Sequence, residues 1–250
     1  MTPLVAVAHG SRDPRSARMV AAAVAAIRDR RPDLDVRLCF LDLNAPSVEQ
    51  VLDAIAVEGH ESAVVVPLLL GSAFHARVDL PAILDRVRVR HPELTVVQSD
   101  VLGGDVRLLG AVRDRVVQSG FSTSDSTLGV AFAAVGSSDE HANALTRSLG
   151  ESFAVETDWM VETCFATAAE PGVGGAIERL RATGAERVVV APWFLAPGLL
   201  TDRLGHAAEV VAPDTVFAAP IGPHHALVDL VLERFAGSAP LVAPNITLSA

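Results

Sequence analysis

The chain has 250 residues, 50% of them hydrophobic and 20% charged, which supplies a sizeable core and rules out a disordered chain. At roughly 100–200 residues per domain, that length admits one large domain or two lobes of about 125. A net charge of −10 disfavours a nucleic-acid or anionic-membrane surface.

Apolar runs rich in Val and Leu alternate with amphipathic stretches, the pattern of βα units around a mostly parallel sheet covered on both faces. The first run, Leu4–Ala8, is followed at once by His9-Gly-Ser-Arg12 and has no basic segment before it. It reads as a strand, so no signal peptide is expected and a cytoplasmic location is. Further strands are predicted at Val36–Leu41, Ser62–Leu70 and Thr95–Ser99, with helices at Pro14–Arg31, Pro46–Glu58, Leu80–Arg90 and Asp105–Ser119. None of the apolar runs approaches the roughly 18–20 residues that span a bilayer. Pro14, Pro46 and Pro81 suit first helical turns, and Gly59 and Gly120 suit helix ends.

Ser119–Thr127, rich in Ser and Thr, reads as a linker, after which the pattern restarts. Strands are predicted at Leu128–Val135, Val161–Ala166, Arg187–Leu195 and Thr215–Ala218, and helices at Asp139–Leu149, Gly172–Ala182, Leu199–Val210 and His225–Phe235. Gly237 onward reads as a surface tail.

The restart is a repeat. Sliding Val36–Leu70 by 125 places it on Val161–Leu195 with 11 of 35 positions identical, and Gly10-Ser-Arg-Asp13 lies over Gly136-Ser-Ser-Asp139 at a shift of 126. The expected fold is therefore α/β with two similar lobes, residues 1–121 and 122–250, each a mostly parallel four-stranded sheet flanked by helices. Cys39 and Cys164 coincide in the repeat. Two cysteines cannot make a disulfide framework or a cluster, and small buried hydrophobes is the simpler reading of the pair.

His9, Asp42 and His75 each fall at or just past the carboxyl end of a predicted strand, the edge where doubly wound sheets bind ligands. Two imidazoles and a carboxylate suit a borderline divalent ion such as Fe²⁺, Co²⁺, Ni²⁺ or Zn²⁺. Taken singly, each histidine reads first as an ordinary loop residue. In the second repeat the three positions hold Val135, Thr167 and Leu200, so the polar groups are lost as a set while scaffold residues persist. The Gly10-Ser11-Arg12 turn offers backbone N–H groups and a helix start to an anion, with Arg12 or Arg15 as a charged fork; a tight turn with a capping serine is the alternative. No Gly-x-Ser-x-Gly elbow, Walker lysine or dinucleotide fingerprint is found. In the segment Pro67–Pro81, Phe74 offers a flat apolar face and Arg77 can meet an acid, while Asp79 reads as a helix cap ahead of a base.

His9-Gly-Ser-Arg12, Phe40-Leu-Asp42 with Ala45-Pro46, and Pro67-Leu-Leu-Leu-Gly-Ser-Ala-Phe-His75 with Asp79-Leu-Pro81 resemble the HGSR, FLE…P and PLFL..G.H...DIP patterns of the sirohydrochlorin chelatases of the CbiX/SirB type, the class II chelatases. Gly136-Ser-Ser-Asp139 and Pro192-Trp-Phe-Leu195 with Gly198-Leu-Leu200 resemble the family's degenerate half. One departure is Asp42, where the family has glutamate. The resemblance implies insertion of Fe²⁺ or Co²⁺ into sirohydrochlorin, for siroheme or cobalamin, at a cleft between the lobes. His9 and His75 would ligate the metal and accept pyrrole protons, with Asp42 helping to hold the ion. Both imidazoles must be neutral for this, so activity is expected to fall at acid pH.

The charge also divides unevenly: 14 Arg against 16 acidic residues in the first 125, and 6 against 14 in the rest. The nearly neutral lobe thus suits an acidic tetrapyrrole, with Ser11, Arg12, Arg15, Phe74, Arg77 and, from the other lobe, Arg203 as candidate substrate contacts. No organic cofactor is expected, and a fused repeat favours a monomer. A nickel-inserting chelatase and a non-catalytic two-lobed metal or tetrapyrrole-binding module are the rival readings.

Overall fold

In the computed structural model, which describes residues 1–71, 78–167 and 169–239, strands and helices alternate along the whole chain. The first half contains β1 (Leu4–Ala8), α1 (Pro14–Arg30), β2 (Val36–Phe40), α2 (Val48–Val57), β3 (Ser62–Pro67), α3 (Leu80–Arg90), β4 (Thr95–Gln98) and α4 (Val106–Gln118). The second contains β5 (Leu128–Ala134), α5 (Glu140–Ala154), β6 (Met160–Phe165), α6 (Val173–Ala182), β7 (Arg187–Pro192), α7 (Leu199–Val211), β8 (Val216–Phe217) and α8 (His225–Ser238). The strands form two parallel four-stranded sheets of identical order, β2-β1-β3-β4 and β6-β5-β7-β8. In each, the chain turns outward in opposite directions from the first and third strands, so a topological switch point lies at their carboxyl ends.

Strand alternation divides the core into three. Leu4, Ala6 and Ala8 of β1 and Val64 and Val66 of β3 face inward, as do Val130 and Phe132 of β5 and Val189 and Ala191 of β7. Together with buried residues of α1, α4, α5 and α8 they build one core shared by the lobes. The opposite faces bury Val5, Val7 and Val65 against α2 and α3, and Ala131, Ala133, Val188 and Val190 against α6 and α7. Between the sheets the last helices are exchanged: α4 packs against β7 and α5, whereas α8 packs against β3 and α1. The segment 119–127 that joins the halves is ordered, with the Trp159 indole N–H donating to the Ser122 carbonyl at 2.7 Å.

Helix starts follow local chemistry. Asp13 and Asp139 cap α1 and α5 by accepting the N–H two residues on, and Ser47 with Gln50 forms a capping box on α2. Pro46, expected in the first turn of α2, instead precedes the cap in a cis peptide bond with Ala45. Ser47 takes the boundary because its hydroxyl satisfies the Gln50 N–H, which proline cannot do. Asp79 occupies the cap position of α3, but its backbone is already helical and its carboxylate makes no capping bond, unlike the expected cap. Gly237 and Ser238 belong to α8 rather than to a tail, and 240–250 lie outside the described residues. Cys39 and Cys164 are buried, and burial pushes both thiols up to about 12, in keeping with inert core residues.

Two measurements test this architecture. Leu4 is fully buried in the shared core, and Leu4→Ala should cost about 2–5 kcal/mol. Both tryptophans, Trp159 and Trp193, belong to the second half, yet urea unfolding followed by their fluorescence should shift together with the far-ultraviolet signal. An unmoved fluorescence transition would show that the halves fold independently. His224 supplies the second test: its Nδ1 accepts the Ala226 N–H at 3.2 Å, capping α8, and its Nε2 faces Asp114 Oδ2 of α4 at 3.0 Å. Burial holds this imidazole below its ordinary value of 6.5, outweighing the opposing pull of Asp114. The unfolded chain therefore takes up the proton first, so this contribution to stability is complete above about pH 6.5 and is lost as pH falls toward the native value. His224→Asn, which keeps a capping group, should flatten melting temperature against pH between 5.5 and 7.5.

Candidate functional site

The carboxyl ends of β1 and β2 are tied by backbone bonds that outlast the strands. Leu41 N–H donates to Ala8 C=O at 2.9 Å and Asp42 N–H to His9 C=O at 3.0 Å. This contact sets His9 and Asp42 side by side at the strand edge, both exposed. Gly10 makes it sterically possible: its φ is +96°, and a Cβ there would lie 1.8 Å from the Asp42 carbonyl oxygen. The Asp42 loop is equally constrained, with Leu43 at φ +63° and its N–H donating to Asp42 Oδ1 at 2.7 Å. One carboxylate oxygen is thereby oriented by the loop's own backbone. Asn44 completes the junction, its Oδ1 accepting the Ser11 N–H at 2.7 Å.

Imidazole and carboxylate are both suitable donors for a borderline divalent cation. They stand beside the switch point of the first sheet, where a parallel sheet leaves an open crevice. His75, Phe74 and Arg77 lie outside the described residues, in the segment 72–77 that follows β3. The end of β3 is anchored on the same edge by the Leu68 N–H, which donates to the Val7 C=O at 2.8 Å.

Beyond His9 the turn into α1 is hydrogen-bonded to itself. Ser11 Oγ accepts the Asp13 N–H at 3.0 Å, and Asp13 Oδ1 accepts the Arg15 N–H at 2.9 Å. Asp13, not Ser11, is the cap, and the N–H groups of Ser11, Asp13 and Arg15 are engaged within the protein. Arg15 forks onto Asp13 and also pairs with Asp202 of α7 across the lobes. Its hydrogen bonds hold the Asp13 carboxyl below the usual carboxylate range. Arg12 and Arg203 are exposed, and neither forms an ion pair among the described residues. Arg203 sits in the helix α7. The second lobe approaches here: Gly198, the cap residue of α7, would place a Cβ 3.9 Å from Ser11 Oγ. Nothing in the sequence marks Asn44 or Asp202, since each acquires its role through a contact distant along the chain.

The second lobe repeats the scaffold without the donors. Gly136 has φ +86° and its missing Cβ would lie 2.0 Å from the Thr167 carbonyl oxygen, while Thr167 N–H donates to Val135 C=O at 2.9 Å. Val135 and Thr167 thus stand where His9 and Asp42 stand in the first lobe. The Glu170–Pro171 bond is cis, like Ala45–Pro46.

Comparison with known proteins gives a consistent result. The CbiX family model matches residues 3–119 and again 129–238. A sirohydrochlorin cobaltochelatase of Priestia megaterium is 30% identical over 211 residues, covering 82% of this chain and 67% of that protein. A sirohydrochlorin ferrochelatase of the same organism is 28% identical over 241 residues, covering 92% and 88%. The solved structure of SirB from Bacillus subtilis with Fe3+ superposes with a TM-score of 0.79 at 25% identity, covering 94% of this chain and 95% of that one.

Gly10 provides a direct test of the junction. Gly59 also has positive φ but nothing within 4 Å of its Cβ position, so Gly59→Ala should cost only the left-handed penalty of about 1–2 kcal/mol. Gly10→Ala adds a backbone clash and should be clearly more destabilising in denaturant unfolding. Equal losses would show that the β1–α1 turn does not depend on close approach to Asp42.

Proposed function

The chain belongs to the CbiX family, and on that premise we propose that it is a sirohydrochlorin chelatase, inserting Fe²⁺ or Co²⁺ into the tetrapyrrole. The observation that carries this reading is the backbone junction that sets His9 beside Asp42 at the switch-point edge. The tetrapyrrole arrives with two inner N–H protons and the metal as a dication. Exchange of one for two of the other gives the metallated ring and two protons, which must be taken up as the metal enters.

A neutral imidazole can hold the ion on one face of the ring or accept a proton from it. We assign both duties to His9 and to His75, which the sequence motif places after β3. Asp42, with Oδ1 oriented by Leu43 N–H, holds the ion from the β2 side. Its carboxylate is one methylene shorter than glutamate, and the tight loop with Leu43 at positive φ suits the shorter arm. The tetrapyrrole's carboxylates are matched by Arg12 and Arg203, whose charges are not neutralised by an ion pair among the described residues. Ser11, Phe74 and Arg77 are the further proposed contacts. Arg15 would have to exchange Asp202 for a substrate carboxylate. Both halves of the site sit on one chain, which favours a monomer, and no helix of the described residues is long and apolar enough to cross a membrane.

Sirohydrochlorin mixed with Co²⁺ or Fe²⁺ and followed by its visible spectrum tests the proposal. His9→Ala should slow metallation about 10²–10⁴-fold, and Asp42→Asn should slow it while Asp42→Glu retains most of the rate. Tight Co²⁺ binding by the wild type with no turnover on sirohydrochlorin would instead identify a binding module.

A further inference from the structure

Each lobe has one asparagine that clasps its first turn, and the two come from opposite places. In the second lobe the Ser137 N–H donates to Asn143 Oδ1 at 2.9 Å, and Asn143 Nδ2 donates back to Ser137 C=O at 2.8 Å. Asn143 belongs to α5, the helix that the turn itself begins, and is 3% exposed. That clasp is local. In the first lobe the equivalent Ser11 N–H donates to Asn44 Oδ1, which belongs to the loop after β2 and lies two residues past Asp42. The position equivalent to Asn143 is Ala17, and the position equivalent to Asn44 is Ala169. The acceptor has therefore changed source between otherwise matching scaffolds.

A turn that needs only a partner for its N–H obtains it from its own helix, as the second lobe does. Taking it from the neighbouring strand's loop adds something else: it locks the segment carrying His9 to the segment carrying Asp42. The same two segments meet at Gly10 against the Asp42 carbonyl and at the Asp42 N–H to His9 C=O bond. Asn44 N–H also donates to the Asp42 C=O at 2.7 Å, so displacement of Asn44 is transmitted to the Asp42 loop. We propose that Asn44 is a positioning residue for metal capture, fixing the spacing of the His9 imidazole and the Asp42 carboxylate through Ser11. This rests on the assignment of His9 and Asp42 as metal donors. A group that orients donors from behind is expected to change metal affinity about 10- to 100-fold when removed.

The test measures Co²⁺ dissociation constants by calorimetry, without tetrapyrrole, beside melting temperatures. Asn44→Ala should weaken Co²⁺ binding about 10- to 100-fold and lower the melting temperature. The double variant Asn44→Ala/Ala17→Asn supplies the local clasp of the second lobe; it should regain melting temperature while Co²⁺ binding stays weak. Asn44→Asp keeps the acceptor oxygen and should bind Co²⁺ close to the wild-type value, which decides the matter if the double variant does not fold. Recovery of both quantities in the double variant, or Asn44→Asp binding as weakly as Asn44→Ala at wild-type melting temperature, would overturn the proposal. His9→Ala is the reference. If it weakens Co²⁺ binding and Asn44→Ala does not, the positioning role fails and the donor assignment stands; if His9→Ala also binds normally, the donor assignment itself fails.

Discussion

The close approach of two backbone segments at the end of β1 governs the rest of the site. Gly10 lies against the Asp42 carbonyl at a distance that admits no Cβ, and the Asp42 N–H reaches the His9 carbonyl. A hydrogen-bonded pair of loops has far fewer conformations than two free ones, so the entropy of ordering His9 and Asp42 is largely met during folding. The contact costs backbone strain at Leu43, a non-glycine residue at positive φ. Strain of that kind persists only where surrounding structure over-determines it. Here the flanking β1–β2 ladder, the Leu43–Asp42 bond and the Asn44–Ser11 bond do so.

The second lobe shows what this scaffold does without donors. It keeps the glycine, the close carbonyl and the capping aspartate but places Val135 and Thr167 at the edge. Its contribution is architectural and electrostatic. The exchange of α4 and α8 makes the sheets share one core, and Gly198 and Asp202 bring α7 up to the β1–α1 turn. The acidic surplus of the chain lies mainly in this half, away from the lobe proposed to meet a polycarboxylate.

The strand and helix pattern was largely readable because hydrophobic periodicity and cap chemistry are local. Strand β1 and helix α3 fall where expected, and most other boundaries differ by a residue or two. The larger departures have physical causes: β3 and β7 end at Pro67 and Pro192, and α5 runs to Ala154 because Phe153 buries in the shared core. The repeat foretold two sheets, but not the helix exchange, which no local pattern encodes. His9 and Asp42 meet because strand ends converge in a parallel sheet, whereas no sequence motif marks Asn44, whose partner Ser11 lies 33 residues away. Arg15, expected as a charged fork for an anion, is occupied by Asp13 and Asp202.

A second group of possible donors, Asp35, Glu58 and His60, sits beside the amino ends of the first sheet's strands, with Arg37 paired to both carboxylates. That guanidinium occupies both carboxylates and halves their charge, and a cation is expected to choose the opposite edge. The nuclear magnetic resonance spectrum of the eight histidine side chains, labelled with ¹⁵N and titrated with diamagnetic Zn²⁺ as a probe, distinguishes the edges directly. Ring nitrogens of His9 and His75 should shift together while the other six stay in place. Shifts at His60 with His9 unmoved would contradict the assignment of the metal to the β1–β2 junction.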